Sequence, residues 1–386
     1  MIPYGRQHIS NDDVNAVVEI LTSDWLTQGP MVPRFEQAIA RKVGAGHAVG
    51  VNSATSALHI ACLALELGPG DRLWTSPNTF VASANCALYC GASVDFVDID
   101  PHTYNMSVDA LARKLELAER AGTLPKVVVA VHFAGQACDM RGISALAMRY
   151  RFKVIEDASH AIGGDYCGKS IGSCEYSDIA VFSFHPVKII TTCEGGMAVT
   201  NDAVLAARMQ RLRTHGITRE RSAMQASDVP PWYYEQLELG FNYRLTDVQA
   251  ALGLSQFSRI DEFVARRREI ARVYDEALSH LPLTLPYQHP DALSAFHLYV
   301  VQVDAGVAGV DRRTVFERMR AAGIGVNVHY IPVHTQPFYR TLGFGWGDFP
   351  VAERYYENAI SLPMYFDLDA ARQRQVIEAL KDALVP

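Results

Sequence analysis

Between residues 47 and 200 short runs of β-branched and aromatic residues alternate with longer amphipathic stretches. HAVGV (47–51) reads as a strand, and 55–67 as a helix closed by Gly68-Pro69-Gly70. RLWTS (72–76) precedes a helix from Phe80 to Tyr89, and SVDFVDI (93–99) precedes one starting near Ser107. VVVAVHF (127–133) precedes a helix from Met140 to Tyr150, and KVIED (153–157), DIAVFSF (178–184) and GMAVT (196–200) complete seven strands. Strands separated by helices form βαβ units, which build a mainly parallel sheet with both faces covered. The expected fold class is therefore α/β.

The flanks differ. A helix is expected from Asn11 to Thr22, capped by Ser10 or Asn11, with Gly29-Pro30 and Pro33 as breakers. A second runs from Arg34 to Val43 and ends at Gly44. Residues 218–235 are polar, carry Pro230-Pro231 and Trp232-Tyr233-Tyr234, and read as a long loop. One long helix is expected from a Thr246 cap through SRIDEFVARRREIARVYDEALS. FHLYVVQVD (296–304), a helix near 312–322, GVNVHYIPV (325–333) and a C-terminal helix suggest a smaller α+β domain. The expected division is 1–250 and 251–386, which suits a chain of 386 residues.

A net charge of −7 argues against a nucleic-acid partner, and the densest basic cluster, Arg266-Arg267-Arg268, has Glu262 and Glu269 beside it. The longest apolar region, 48–67, is interrupted by Asn52, Ser53, Thr55, Ser56, His59 and Glu66, so no membrane span is expected. MIPYGRQHISNDD lacks the apolar core of a signal peptide. Seven cysteines without a CxxC pair suggest a reduced, cytoplasmic protein without a zinc site.

Lys188 is the only Lys, Arg, Asp or Glu in IAVFSFHPVKIITTC (179–193). Burial lowers a lysine pKa, and the neutral amine is a nucleophile that forms a Schiff base with a carbonyl. Alone, the stretch also fits a lysine snorkelling from a strand end. Other polar groups lie at strand ends, where open α/β sheets bind ligands. Asn52-Ser53-Ala54-Thr55-Ser56 opens a helix and suits a phosphate, or simple capping. Asp157 ends KVIED and suits a protonated ring nitrogen or a cap, and His160 suits a ligand contact or a core position. Ser183 adds a donor near Lys188, and Phe80 suits a stacking platform or a core aromatic. Together these groups describe pyridoxal 5′-phosphate: a phosphate cradle, a carboxylate for the pyridine nitrogen, an aromatic platform and an aldehyde-binding lysine.

Several segments in order, namely IPYGRQ, NSATSAL, SPNTFVASANCALYCGA, EDASHAIGG, SFHPVKIITTCEGG and GFNYRLTDVQAALGL, carry a resemblance over essentially the whole chain. The chain resembles the DegT/DnrJ/EryC1/StrS sugar aminotransferases, which have the aspartate aminotransferase-like type I fold. That resemblance implies a large domain with a seven-stranded sheet and a smaller C-terminal domain. It implies Lys188 as the Schiff-base lysine, Asp157 at the pyridine nitrogen, Phe80 on the ring and His160 near its phenolic oxygen. It also implies Thr55, Ser56 and Ser183 as phosphate contacts. The family's site is shared between two subunits, so a homodimer is expected, with Asn242 reaching the phosphate in trans and Arg244 beside it. Cys193 stands where the family often has Gly.

SFHPVK and HYIPVHTQPFY (329–339) resemble the branch that aminates a UDP-linked 4-keto-6-deoxy N-acetyl sugar with L-glutamate, on the route to pseudaminic acid. Tyr4, Arg6, His329, Tyr330 and His334 are then expected at the sugar. The alternatives are a different keto sugar, the dehydratase branch with histidine in place of the lysine, or a non-catalytic binding protein. Lys188 argues against the dehydratase.

Overall fold

The computed structural model describes residues 1–385. All seven expected runs form strands: β1 (His47–Val51), β2 (Arg72–Thr75), β3 (Ser93–Phe96), β4 (Val127–Val131), β5 (Lys153–Asp157), β6 (Ile179–Ser183) and β7 (Gly196–Thr200). They make one sheet in the order β1-β7-β6-β5-β4-β2-β3. Pairs within β3-β2-β4-β5-β6 are parallel, whereas β7 runs antiparallel to both β1 and β6. Every residue of β4 and β6 is buried, as continuous apolar runs require when helices cover both faces.

The two-residue period of the strands divides the core. Val128, Val154 and Phe182 face Phe35 and Ile39 of α2 (Met31–Val43) and Leu111 and Leu115 of α5 (Val108–Ala121). Val129, Ile155 and Val181 face Leu58 of α3 (Ala54–Ala64), Ala84 of α4 (Ala82–Tyr89) and Met209 of α7 (Ala203–Leu212). The remaining large-sheet helices are α1 (Asn11–Leu21) and α6 (Met140–Tyr150). Ser10 caps α1 in a reciprocal pair with Asp13.

Three local expectations change. Pro33 lies in the first turn of α2 instead of ending a helix, because the first-turn N–H groups have no intrahelical partner to lose. Thr246 caps α8 (Asp247–Phe257), but the chain breaks and restarts as α9 (Ile260–Leu278). At the break Arg259 leaves helical geometry (φ −109°, ψ 15°) and reaches buried Asp13 at 2.7 Å. Residues 325–333 are irregular: the partner of β8 (Tyr299–Gln302) is β9 (Ala359–Leu362), four buried residues later in the chain. Pro332 has no N–H for a ladder, and the Gly325 N–H is taken by the Ile2 carbonyl at 2.6 Å.

α9 spans two cores. Its Phe263 and Val264 join the large-sheet core, while Ile270, Tyr274 and Leu278 join β8, β9, α10 (Arg312–Ala321) and α12 (Ala370–Ala383). Helix α11 (Pro350–Asn358) lies between α10 and α12 in sequence. The N-terminal segment is stitched to this second core: Ile2 N–H donates to Gly323 O at 2.8 Å, and Met364 N–H donates to Tyr4 O at 2.9 Å. No helix among the described residues is long and apolar enough to cross a membrane.

Candidate active site

A cavity of about 440 Å³ opens beyond the carboxyl ends of β4, β5 and β6. Lys188 reaches it from the loop between β6 and β7. That loop is pinned at its base, with Phe184 N–H donating to Gly195 O at 2.9 Å and Thr192 N–H to Phe184 O at 3.0 Å. Burial pulls the Lys188 pKa down to about 8, against the opposing attraction of Asp157. About a tenth of the amine is therefore neutral at pH 7, far more than for an ordinary lysine.

Asp157, the last residue of β5, is buried and held by three donors. Its Oδ2 accepts from Ser83 Oγ at 2.7 Å, and its Oδ1 accepts from Ser159 Oγ at 2.6 Å and Ser159 N–H at 3.1 Å. Because the Ser83 proton goes to Asp157, the 2.8 Å bond between Thr79 and Ser83 runs from Thr79 Oγ1 to Ser83 Oγ. A carboxylate has about four acceptor positions, so about one remains for a ligand.

The N-terminus of α3 forms one wall. Ser53 caps it by accepting from Ser56 N–H at 3.1 Å, and Thr55 lines the cavity. Ser56 does not line it: its hydroxyl donates to Asn52 Oδ1 at 2.7 Å, inside the turn. The Ser56 hydroxyl is used to hold the loop and does not face the cavity. Gly196, at the start of β7, lies against this turn, and a Cβ there would fall 2.5 Å from Ala54 N. Ser183 and Phe80 complete the polar and aromatic sides, and the Phe80 ring lies 6.3 Å from that of Tyr330.

His160 lines the cavity. Its Nδ1 accepts from Ala134 N–H at 3.3 Å, and its Nε2 lies 3.1 Å from Tyr330 Oη. Both ring nitrogens have protein partners. His297 packs on it with ring centroids 4.3 Å apart, and His297 Nδ1 is buried with no partner among the described residues. Burial, reinforced by the Lys188 charge, pushes His160 and His297 well below the usual histidine range and His329 to about 4. Three neutral imidazoles thus stand beside the lysine.

Tyr4, His329 and Tyr330 line the cavity, and the Tyr4 ring is 5.4 Å from His329. Arg6 does not; it borders a narrow cleft behind Lys188 together with Arg267. His334 is fully buried, 2.8 Å from Glu353 Oε1 and packed on Phe349, so it is closed off from the sugar position expected for it. Asn242 is also outside this chain's cavity, in a segment that lies along β1 through Asn52 N–H to Tyr243 O at 2.9 Å. Ser83, Thr79 and His297 were not anticipated. The four-residue spacing of Thr79 and Ser83 places them together; nothing local marks His297.

The donor set fits pyridoxal 5′-phosphate: an amine for its aldehyde, a carboxylate with room for a ring N–H, a helix N-terminus with hydroxyls for its phosphate. Gly196 keeps that cradle free of a side chain.

Residues 7–381 match the DegT/DnrJ/EryC1/StrS aminotransferase family, and the chain belongs to that family. It is 42% identical over 384 residues to the spore coat polysaccharide biosynthesis protein SpsC of Bacillus subtilis, covering 99% of this chain and 96% of that protein. Helicobacter pylori PseC, an aminotransferase involved in the biosynthesis of pseudaminic acid, superposes with a TM-score of 0.90 at 30% identity, covering 99% of both chains. The PLP form of the putative sugar aminotransferase Spr1654 from Streptococcus pneumoniae superposes with a TM-score of 0.89 at 28% identity, covering 99% of this chain and 98% of that one. The fold is aspartate aminotransferase-like, and the chain is a pyridoxal-phosphate-dependent sugar aminotransferase.

Proposed function

We propose that the protein moves the amino group of L-glutamate to carbon 4 of UDP-2-acetamido-2,6-dideoxy-β-L-arabino-hex-4-ulose. The product is UDP-4-amino-4,6-dideoxy-N-acetyl-β-L-altrosamine, an intermediate toward pseudaminic acid. The observation that carries amino transfer is the buried Lys188 amine, with its lowered pKa, opposite a triply hydrogen-bonded Asp157. Support for the sugar is the likeness to PseC along the whole chain.

Bound pyridoxal phosphate supplies an electron sink that lets a proton leave an amine-bearing carbon. Lys188 moves that proton, because its amine is neutral near its lowered pKa. Asp157 keeps the ring nitrogen protonated. Phe80 excludes water from one side, and Thr55 and Ser183 hold the phosphate. Tyr4, His329 and Tyr330 contact the sugar. A second copy of the chain supplies Asn242 to the phosphate, with Arg244 nearby, the arrangement that the family resemblance implies. The enzyme acts in the cytoplasm.

A second reading is amination of a different keto sugar. It is favoured by the higher identity to SpsC, 42%, than to PseC, 30%. Visible absorbance of the loaded protein tests the amino-transfer step: L-glutamate bleaches the yellow colour, and the acceptor sugar restores it. Restoration by a different UDP-linked keto sugar alone selects the second reading. A loaded protein that stays yellow with glutamate refutes the proposed donor.

A further inference from the structure

The hydrogen bonds around His160 have a direction, and that direction singles out Tyr330. A backbone N–H only donates, so the Ala134 N–H at 3.3 Å requires a lone pair on His160 Nδ1. A neutral imidazole with a lone pair on Nδ1 carries its proton on Nε2. The Nε2–H therefore donates to Tyr330 Oη, 3.1 Å away, and the phenol is the acceptor in that bond. The Tyr330 proton is left over. Among the described residues the Tyr330 hydroxyl has no other hydrogen-bond partner, and Tyr330 lines the cavity together with Lys188.

The backbone at Ala134 supports this arrangement. Ala134 is a non-glycine residue at φ 58°, a sparsely populated conformation that recurs at functional sites. It lies just past the end of β4, with its N–H on the imidazole. Burial and the Asp157 charge both oppose loss of the phenol proton, so Tyr330 stays a donor at neutral pH.

We propose that Tyr330 is the proton donor to the carbonyl oxygen of the keto substrate, and that His160 is a positioning residue acting through it. The inference rests on the amino-transfer reading. As the incoming primary amine forms a C–N bond at the carbonyl carbon, the C=O π pair moves onto oxygen, and that oxygen takes the phenol proton. The phenolate left behind is held by the His160 Nε2–H. The Lys188 ammonium, more acidic than an ordinary lysine, returns a proton to it. The neutral Lys188 amine so formed takes the proton that the new C–N bond leaves on the nitrogen, so the addition balances at the hydroxyl-bearing adduct with no further reactant.

Two measurements test the proposal. Nitrogen-15 NMR of His160 in the pyridoxal-phosphate-loaded protein reports the tautomer without any turnover. A neutral Nε2–H form from pH 6 to 8 is expected, and an Nδ1–H form or an imidazolium overturns the proposal. The second measurement is steady-state amination of UDP-2-acetamido-2,6-dideoxy-β-L-arabino-hex-4-ulose by Tyr330→Phe. We expect kcat to fall about 100-fold or more, the usual effect of removing a general acid, with KM and pyridoxal-phosphate affinity within about threefold of wild type. His160→Gln, which keeps an N–H donor, is expected to retain more kcat than His160→Leu. Tyr330→Phe with kcat within threefold of wild type, in a preparation whose wild type is active, refutes the donor role alone. A loaded wild type that neither bleaches with L-glutamate nor aminates the sugar overturns the amino-transfer reading and this inference with it.

Discussion

Ser83 Oγ donates to Asp157 Oδ2 at 2.7 Å, joining the first turn of α4 to the end of β5 across 74 positions of sequence. The carboxylate is thereby fixed from two sides, by Ser83 on one oxygen and Ser159 on the other. Ser83→Ala removes a hydrogen bond to a charged group, worth about 1.5–3 kcal/mol. Turnover is expected to fall about tenfold, and pyridoxal-phosphate affinity to weaken. Asp157→Asn, which removes the charge itself, is expected to cost about 10²–10⁴ in kcat. Steady-state rates of the two variants side by side check the ranking, and an unimpaired Asp157→Asn enzyme removes Asp157 from its role.

Lys188→Ala is expected to abolish the yellow colour and lower turnover by at least about 10³-fold, with the far-ultraviolet circular dichroism unchanged. A yellow, active variant refutes the lysine's assignment.

The pH dependence follows from the Lys188 pKa of about 8. Only the neutral amine attacks an aldehyde, so capture of pyridoxal phosphate by cofactor-free protein should accelerate with a midpoint near pH 8. An ordinary lysine gives a midpoint above 10. For stability the sign is the same. From about pH 8 to 10.5 the unfolded lysine holds a proton that the folded one has lost, so the cofactor-free protein gains stability as pH rises through that interval. Stopped-flow absorbance and urea titrations at several pH values check both statements.

Gly196→Ala places a Cβ 2.5 Å from Ala54 N and forces the α3 turn to shift. Overpacking costs about 1–3 kcal/mol, so the pyridoxal-phosphate Kd is expected to rise about 10- to 100-fold. Equilibrium titration of the cofactor-free variant reads this directly.

His334→Ala is expected to destabilise the fold by about 1–3 kcal/mol, because it takes one hydrogen bond from buried Glu353 and leaves it only the Gly347 and Phe349 N–H donors, while KM for the sugar stays unchanged. A lower urea midpoint with normal KM is the expected pair of results. A raised KM at normal stability restores His334 to the substrate site.

The seven strands of the sheet were legible because each is a local property: a β-branched run bounded by turn residues. Lys188 was legible because a lone charge in such a run is conspicuous. Ser83 was not, since its meaning comes from Asp157, which only the folded chain brings near. His334 looked like a ligand residue beside Tyr330, but one segment carries Tyr330 into the cavity and buries His334 behind it. Residues 325–333 look like a strand in composition. The ladder position beside β8 went instead to Ala359–Leu362, a run too short and plain to stand out. The bond from Ala134 to His160 was not legible, because it depends on a backbone turn with no side-chain signature.

The N-terminal segment carrying Tyr4 is tied to Gly323, Gly325 and Met364. During synthesis the segment at Tyr4 must therefore wait for residues far later in the chain before its wall of the cavity closes. By then the strands bearing Asp157 and Lys188 have long emerged and can pair. A chain cut short before residue 364 would carry the amine and its carboxylate with that wall unclosed, a nucleophile exposed to any small aldehyde nearby.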